Sequence, residues 1–140
     1  AYSALAAGGV MHPLTLIKDD KSQPSKRIMA HEQAMSIVQM LESVTEPGGT
    51  AKAAAIDGYR VAGKTGTSRR INPDGGYYTD QYRNVFAGMA PASNPKLVGV
   101  MLIEDPRGQI YAGLTVHNVM KEALRLYNVP LDKPLKTEAQ

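Results

Sequence analysis

Gly58-Tyr59-Arg60-Val61-Ala62-Gly63-Lys64-Thr65-Gly66-Thr67 fits two patterns that demand opposite backbones. From Gly58 to Thr65 the letters read G-x-x-x-x-G-K-[ST], a loop that cradles phosphates and runs straight into a helix. Read as a strand, the same residues alternate in direction, so that Thr65 and Thr67 share one face and Lys64 points to the other. The flanks decide against the loop. Upstream, Lys52 to Asp57 lacks the β-branched run of a buried parallel strand. Downstream, Gly66 to Gly76 holds a proline and three glycines, which no helix starting at Lys64 could accommodate. Tyr59 to Ala62 itself has strand composition. Leu97 to Asp105, an apolar strand with an acidic end, would suit a magnesium-binding segment, but such strands occur in any α/β domain.

As a strand, Tyr59 to Arg69 sets two hydroxyls side by side with a lysine beneath them. Gly66 between the threonines leaves room for another molecule's backbone or carboxylate. Such an edge can bind an extended peptide by β-addition and hold its carboxylate between the hydroxyls. A merely structural threonine-rich strand with a surface lysine has the same letters, so spacing alone leaves both readings open.

The remaining elements organise around this strand. Tyr2 to Ala7 reads as a helix stopped by Gly8-Gly9, with no N-cap residue before it, so the helix is expected to begin upstream of residue 1. His31 to Val44 carries Ala34, Ile37, Val38, Leu41 and Val44 as one apolar stripe, ended by Pro47-Gly48-Gly49. After a long loop with Asn72-Pro73-Asp74-Gly75-Gly76 come strands Asn84 to Ala90 and Leu97 to Glu104, joined at Pro91 to Pro95 and antiparallel to the motif strand. Thr115 is the expected cap of a helix bearing Val116, Val119, Met120, Ala123, Leu124 and Tyr127, stopped by Pro130. Met29, Met35, Met40 and Met120 read as core filler. The fold class is therefore α/β of the α+β type, an antiparallel sheet flanked by helices.

Composition removes several function classes. A chain of 140 residues is one domain or part of one. Its net charge of +3 is scattered, with no basic stripe interleaved with aromatics, so nucleic acid is not an expected partner. With no cysteine there is no disulfide or thiolate chemistry. His12, His31 and His117 have no ligand spacing, so no metal is expected. No apolar run is long enough to span a membrane.

Across the chain, Tyr2 to Gly9, His12 to Leu16, Pro47-Gly48-Gly49-Thr50-Ala51, Gly58 to Thr67, Phe86-Ala87-Gly88-Met89-Ala90-Pro91 and Ala123 to Pro130 follow one another in a familiar order. They resemble segments of class B penicillin-binding proteins, most of all the septal, cell-division type, in which K-T-G is an active-site motif. The likeness omits only the polar loop Lys18 to Arg27 and the residues after Pro130. It implies part of the penicillin-binding transpeptidase fold of the serine β-lactamase-like superfamily, with residues 1–130 as its C-terminal portion and 131–140 as a disordered tail.

The implied chemistry is acyl transfer through a serine ester, with no cofactor. The serine of S-x-x-K attacks the carbonyl between two terminal D-alanines of a peptidoglycan stem peptide, D-alanine leaves, and an amine of a neighbouring stem resolves the acyl-enzyme. β-Lactams mimic that terminus and block the serine. By resemblance Lys64 holds the hydrogen-bond and charge network around the nucleophile, Thr65 and Thr67 bind the substrate carboxylate, and the Thr67 N–H donates to the oxyanion. Gly66 gives clearance, and Tyr82 and Tyr111 wall the pocket, although packing at a strand or loop end would account for either tyrosine. The implied partners are stem peptides, β-lactams, the N-terminal part of the same protein and the cell-division machinery, at the periplasmic face of a bacterial inner membrane.

One departure is decisive. In the family S-x-x-K and S-x-N precede K-T-G, and no such pair precedes Lys64. Ser93-Asn94-Pro95-Lys96 and Tyr82-Arg83-Asn84 match by letter but follow the triplet, and Ser93 lies in a proline-flanked turn where no helix can bring Lys96 alongside it. Both read as coincidences. The expected chain is thus one wall of a transpeptidase site without its nucleophile; a β-lactam sensor, a serine β-lactamase or a non-enzymatic binding module stand as alternatives.

Overall fold

The computed structural model describes residues 1–15, 24–107 and 111–135. In chain order it contains α1 (Tyr2–Ala6), β1 (Val10–Met11), β2 (Lys26–Arg27), α2 (His31–Glu42), a 3-10 turn (Lys52–Ala54), β3 (Ala62–Ile71), β4 (Tyr77–Ala90), β5 (Leu97–Glu104) and α3 (Ala112–Leu126). β1 and β2 form a small antiparallel pair, and the main sheet is antiparallel in the order β3-β4-β5.

The motif lies within β3, so the phosphate-loop reading fails: Lys64 is flanked by strand on both sides and no helix follows it. Residues paired directly across an antiparallel ladder share a face. Thr65 pairs with Phe86 and Phe86 with Met101, while Lys64 pairs with Ala87 and Ala87 with Val100. The first face is covered by α3, whose Val116, Met120 and Leu124 pack with Phe86, Val61 and Ile56 in one core. On the second, Ala62, Met89, Ala92 and Val38 of α2 form a smaller core, with Tyr2 and Leu5 of α1 against it.

A row of three glycines lets the first face pack closely. Gly63 pairs with Gly88, and Gly88 with Gly99. The Phe86 ring lies across the first two, since a Cβ on Gly63 would stand 2.5 Å from Phe86 Cζ and one on Gly88 2.6 Å from Cε1. Met120 lies over the third, with its sulfur 3.4 Å from where a Gly99 Cβ would be.

Several elements depart from their expected limits. Asn72 to Gly76 is a tight turn and not a long loop: Gly75 N–H donates to Asn72 O at 2.9 Å, Asp74 N–H to Asn72 Oδ1 at 3.0 Å, and Gly75 and Gly76 take positive φ. The strands therefore run on to Ile71 and start at Tyr77. The first residue of α3 is Ala112, and Thr115 is not its cap; its hydroxyl donates back to Tyr111 O at 3.4 Å. The early start has a packing cause, because Ala112 is buried and a Cβ on Gly113 would stand 3.6 Å from Ala54 Cβ, so the first turn is seated on the 3-10 turn. Met40, expected in the core, is exposed.

Residues 131–135, expected to belong to a disordered tail, are held in place. Asp132 Oδ1 accepts from Arg60 N–H at 2.7 Å and Oδ2 from Ser93 Oγ at 2.6 Å, while the N–H groups of Asp132 and Lys133 both donate to Gly58 O at 3.1 Å. Residues 131–135 thus brace the entry to β3, and residues 136–140 lie outside the described part. Arg60 makes a two-pronged bond to Glu42 at 2.7 and 2.8 Å, tying α2 to the same place. That bond raises the guanidinium pKa above its ordinary value, so the arginine stays charged at any working pH.

Among the described residues, cover on the second sheet face is confined to one end. Val98, Val100 and Leu102 of β5 are 38%, 66% and 52% exposed, and β5 is an edge strand among the described residues. An alternating apolar row on an unpaired edge is a template for association. In sedimentation velocity this chain alone is therefore expected to associate with rising concentration, and Val100→Lys to reduce that association. A compact monomer at all concentrations would contradict the expectation.

Candidate active site

β3 is the other edge of the sheet, so the triplet presents one unpaired strand edge among the described residues. The ladder register sets its geometry: Thr65 and Thr67 face the α3 side, and Lys64 and Gly66 face the α2 side. Lys64 is exposed and its Nζ donates to Thr65 O at 2.8 Å. It borders a hollow of about 490 Å³ between the end of α2 and the Pro47–Thr50 loop, lined also by Met40, Ser43 and Gly63. Another hollow, of about 400 Å³, is lined by Lys52, Asp57, Gly58, Tyr59, His117 and Lys121 and by none of Lys64 to Thr67.

Each threonine has a partner from a distant segment. Thr65 Oγ1 is 3.0 Å from Thr50 Oγ1, and Thr67 Oγ1 accepts from Asn84 Nδ2 at 3.3 Å. Asn84 Oδ1 in turn accepts from the N–H of Ala112 at 3.0 Å, so one amide joins the motif strand to the first turn of α3. Sequence reasoning missed both partners. Thr50 carries no signal beyond its place in the Pro47 to Ala51 segment, and Asn84 reads only as a strand start and as the last letter of a coincidental triplet.

Gly66 differs from Gly63. A Cβ on Gly66 would meet nothing nearer than Val85 Cβ at 3.9 Å, an ordinary contact, so no packing among the described residues requires glycine there. Tyr82 stands one rung beyond Asn84 on the Thr67 face, opposite Arg69, and its hydroxyl donates to Thr79 O at 3.0 Å. Tyr111 is the N-cap residue of α3, exposed and adjacent in sequence to the Ala112 N–H that binds Asn84. The structure thus brings the α3 start, with Tyr111, to the Thr67 rung. Ser93, by contrast, belongs to the β4–β5 turn with its hydroxyl on Asp132, and no helical turn links it to Lys96.

Among the described residues, no three His, Cys, Asp or Glu side chains gather as a metal site would need, and no helix is long and apolar enough to cross a membrane. The geometry can therefore offer a cation, two hydroxyls and a strand edge to an anionic, extended ligand.

The chain has relatives among known proteins. Residues 1–125 match the family described as the penicillin binding protein transpeptidase domain. The chain is 38% identical over 136 residues to the peptidoglycan D,D-transpeptidase FtsI of Escherichia coli K12, covering 94% of this chain and 23% of that protein. It is 35% identical over 144 residues to the probable peptidoglycan D,D-transpeptidase PenA of Neisseria gonorrhoeae, covering 99% of this chain and 25% of that protein. The chain thus spans about a quarter of the length of these curated relatives. Among solved structures, the transpeptidase domain of Burkholderia pseudomallei penicillin-binding protein 3 superposes with a TM-score of 0.82 at 36% identity, covering 95% of this chain and 42% of that one. A Mycobacterium penicillin-binding protein 3 complexed with aztreonam gives 0.82 at 33% identity, covering 99% and 36%.

Proposed function

Because the chain belongs to the family of penicillin-binding protein transpeptidase domains, we propose that it forms the K-T-G wall of a peptidoglycan D,D-transpeptidase of the septal, cell-division type. The observation that carries this reading is the placement of Lys64-Thr65-Gly66-Thr67 on an edge strand, with both hydroxyls on one face and the lysine on the other. In the proposal residues 1–130 are the C-terminal portion of that domain, and the nucleophilic serine comes from polypeptide outside this chain. The whole protein works at the periplasmic face of the inner membrane, with stem peptides as substrates, β-lactams as inhibitors and the division machinery as partner.

The proposed mechanism is acyl transfer. The serine oxygen bonds to the carbonyl carbon of the penultimate D-alanine, the peptide C–N bond breaks, and the terminal D-alanine leaves with the proton. An amine of a second stem then displaces the serine and forms the cross-link. Thr65 and Thr67 donate to the substrate's terminal carboxylate, and Gly66, on the opposite face with Lys64, leaves room for the ligand's approach along the strand edge. Lys64 holds the charge network around the serine. The Thr67 N–H, one donor of the oxyanion site, would lower the barrier by about 3 kcal/mol. Tyr82 and Tyr111 stand at the far side of the Thr67 rung and would wall the acyl pocket. A β-lactam sensor or a serine β-lactamase could use the same wall, but the FtsI and PenA relatives carry the transpeptidase name.

The test is covalent labelling. Incubated with a penicillin and weighed intact, the complete polypeptide should gain one acyl adduct, and this chain alone none. A stoichiometric adduct on this chain, on Ser93 or elsewhere, would overturn the division of labour proposed here.

A further inference from the structure

We propose that Asn84 is a positioning residue that fixes which way the Thr67 hydroxyl points its proton, an inference that rests on the carboxylate-binding role given to Thr67 above. Asn84 is directly opposite Thr67 in the β3–β4 ladder. Its amide lies between two groups, the Ala112 N–H at 3.0 Å and Thr67 Oγ1 at 3.3 Å. A backbone N–H can only donate, so the amide oxygen must face Ala112 and the NH₂ must face Thr67. An NH₂ also can only donate. Thr67 Oγ1 therefore accepts, and its single proton remains free for a different acceptor. A carboxylate is such an acceptor, since when ionised it cannot donate.

The sense of this bond separates Thr67 from Thr65. The partner of Thr65 is the Thr50 hydroxyl, which can donate or accept and so leaves the Thr65 proton undirected. Only Asn84 sets a direction, and the setting originates at Ala112, the first residue of α3. The start of α3 is thereby coupled through one side chain to the ligand face of the motif strand.

A bland role competes with this one: Asn84 could serve only to satisfy one of the open N–H groups at the α3 N-terminus. Asn84→Asp separates the two. The carboxylate still accepts from Ala112, and a negative charge at a helix N-terminus is favourable, so a cap-only role leaves both melting temperature and acylation at the parent level. Under the proposal the second oxygen of the introduced carboxylate can only accept, so Thr67 must turn its proton toward that oxygen and away from the ligand. Second-order acylation of the complete polypeptide by a reporter penicillin should then fall about tenfold to hundredfold, the range for a lost hydrogen bond to a charged group, with melting temperature held.

Charge repulsion of the ligand's carboxylate could mimic that fall, and a double-mutant cycle removes the ambiguity. In a Thr67→Val background no hydroxyl remains to be turned, so Asn84→Asp should cost little further. Parent-level acylation by Asn84→Asp, or an undiminished cost in the Thr67→Val background, would overturn the proposal while leaving the transpeptidase reading intact. Absence of acylation in the unsubstituted polypeptide, or parent-level acylation by Thr67→Val, would instead sink the reading of Thr67 and this inference with it.

Discussion

Lys64→Ala in the complete polypeptide is expected to slow acylation by a reporter β-lactam by roughly a hundredfold or more, the lower part of the range for losing a positioned group from proton transfer. Thr65→Val and Thr67→Val should each cost about tenfold to hundredfold, since each removes one hydrogen bond to a charged carboxylate. The ranking follows from geometry. Each threonine gives one hydroxyl, and Thr67→Val retains its backbone N–H for the oxyanion. Lys64 is exposed on the opposite face of β3, beside a hollow of about 490 Å³. Within this chain its ammonium donates to Thr65 O at 2.8 Å, which leaves further donors for groups brought by the rest of the protein. None of these three side chains belongs to either core, so melting temperatures should hold near the parent value. Parent-rate acylation by Lys64→Ala would remove the lysine from the mechanism. Parent rates for both valine variants would reduce the strand to a structural element.

The parts of this fold that a local period encodes were legible in the sequence. The two-residue alternation of β3, the apolar run of β5, the stripe of α2, that of α3 apart from the exposed Val119 and Tyr127, and the Gly8-Gly9 stop after α1 are all present. What the sequence hid depends on contacts between distant segments. Thr115 carries a cap residue's chemistry, yet burial of Ala112 against the 3-10 turn outweighs it and starts α3 ahead of that threonine. Asp132 looked like part of a polar tail, because its acceptors serve N–H and hydroxyl groups 72 and 39 residues away. The candidate site shows the same division. K-T-G and the alternation of its side chains were readable, whereas Thr50 and Asn84 reach their threonines across 15 and 17 residues. Ladder register reveals Asn84 and the seating of the Pro47–Thr50 loop reveals Thr50, and no local pattern specifies either.

The two glycines that flank Lys64-Thr65 should fail in opposite ways. Gly63→Ala is expected to destabilise the protein by about 3 kcal/mol, the upper end for overpacking a core. Its added methyl would stand 2.5 Å from Phe86 Cζ, 2.7 Å from Ala87 O and 3.0 Å from Gly88 Cα. Two of those three neighbours are backbone of the paired strand and cannot move without opening the ladder. The third is a ring held at zero exposure beneath α3. Phe86→Leu in the Gly63→Ala background should recover only part of the loss, since it withdraws the ring tip but leaves the carbonyl contact. Gly66→Ala has no such conflict, because its methyl would come no closer than 3.9 Å to any described atom outside its own chain neighbours. It should melt with the parent protein and yet acylate more slowly, because the methyl would occupy the clearance assigned to the ligand. Denaturant unfolding and acylation rates on the same two variants check both halves. A Gly63→Ala protein as stable as the parent would contradict the packing of Phe86 on the glycine row. Parent-rate acylation by Gly66→Ala would show that the ligand does not approach β3 at that residue.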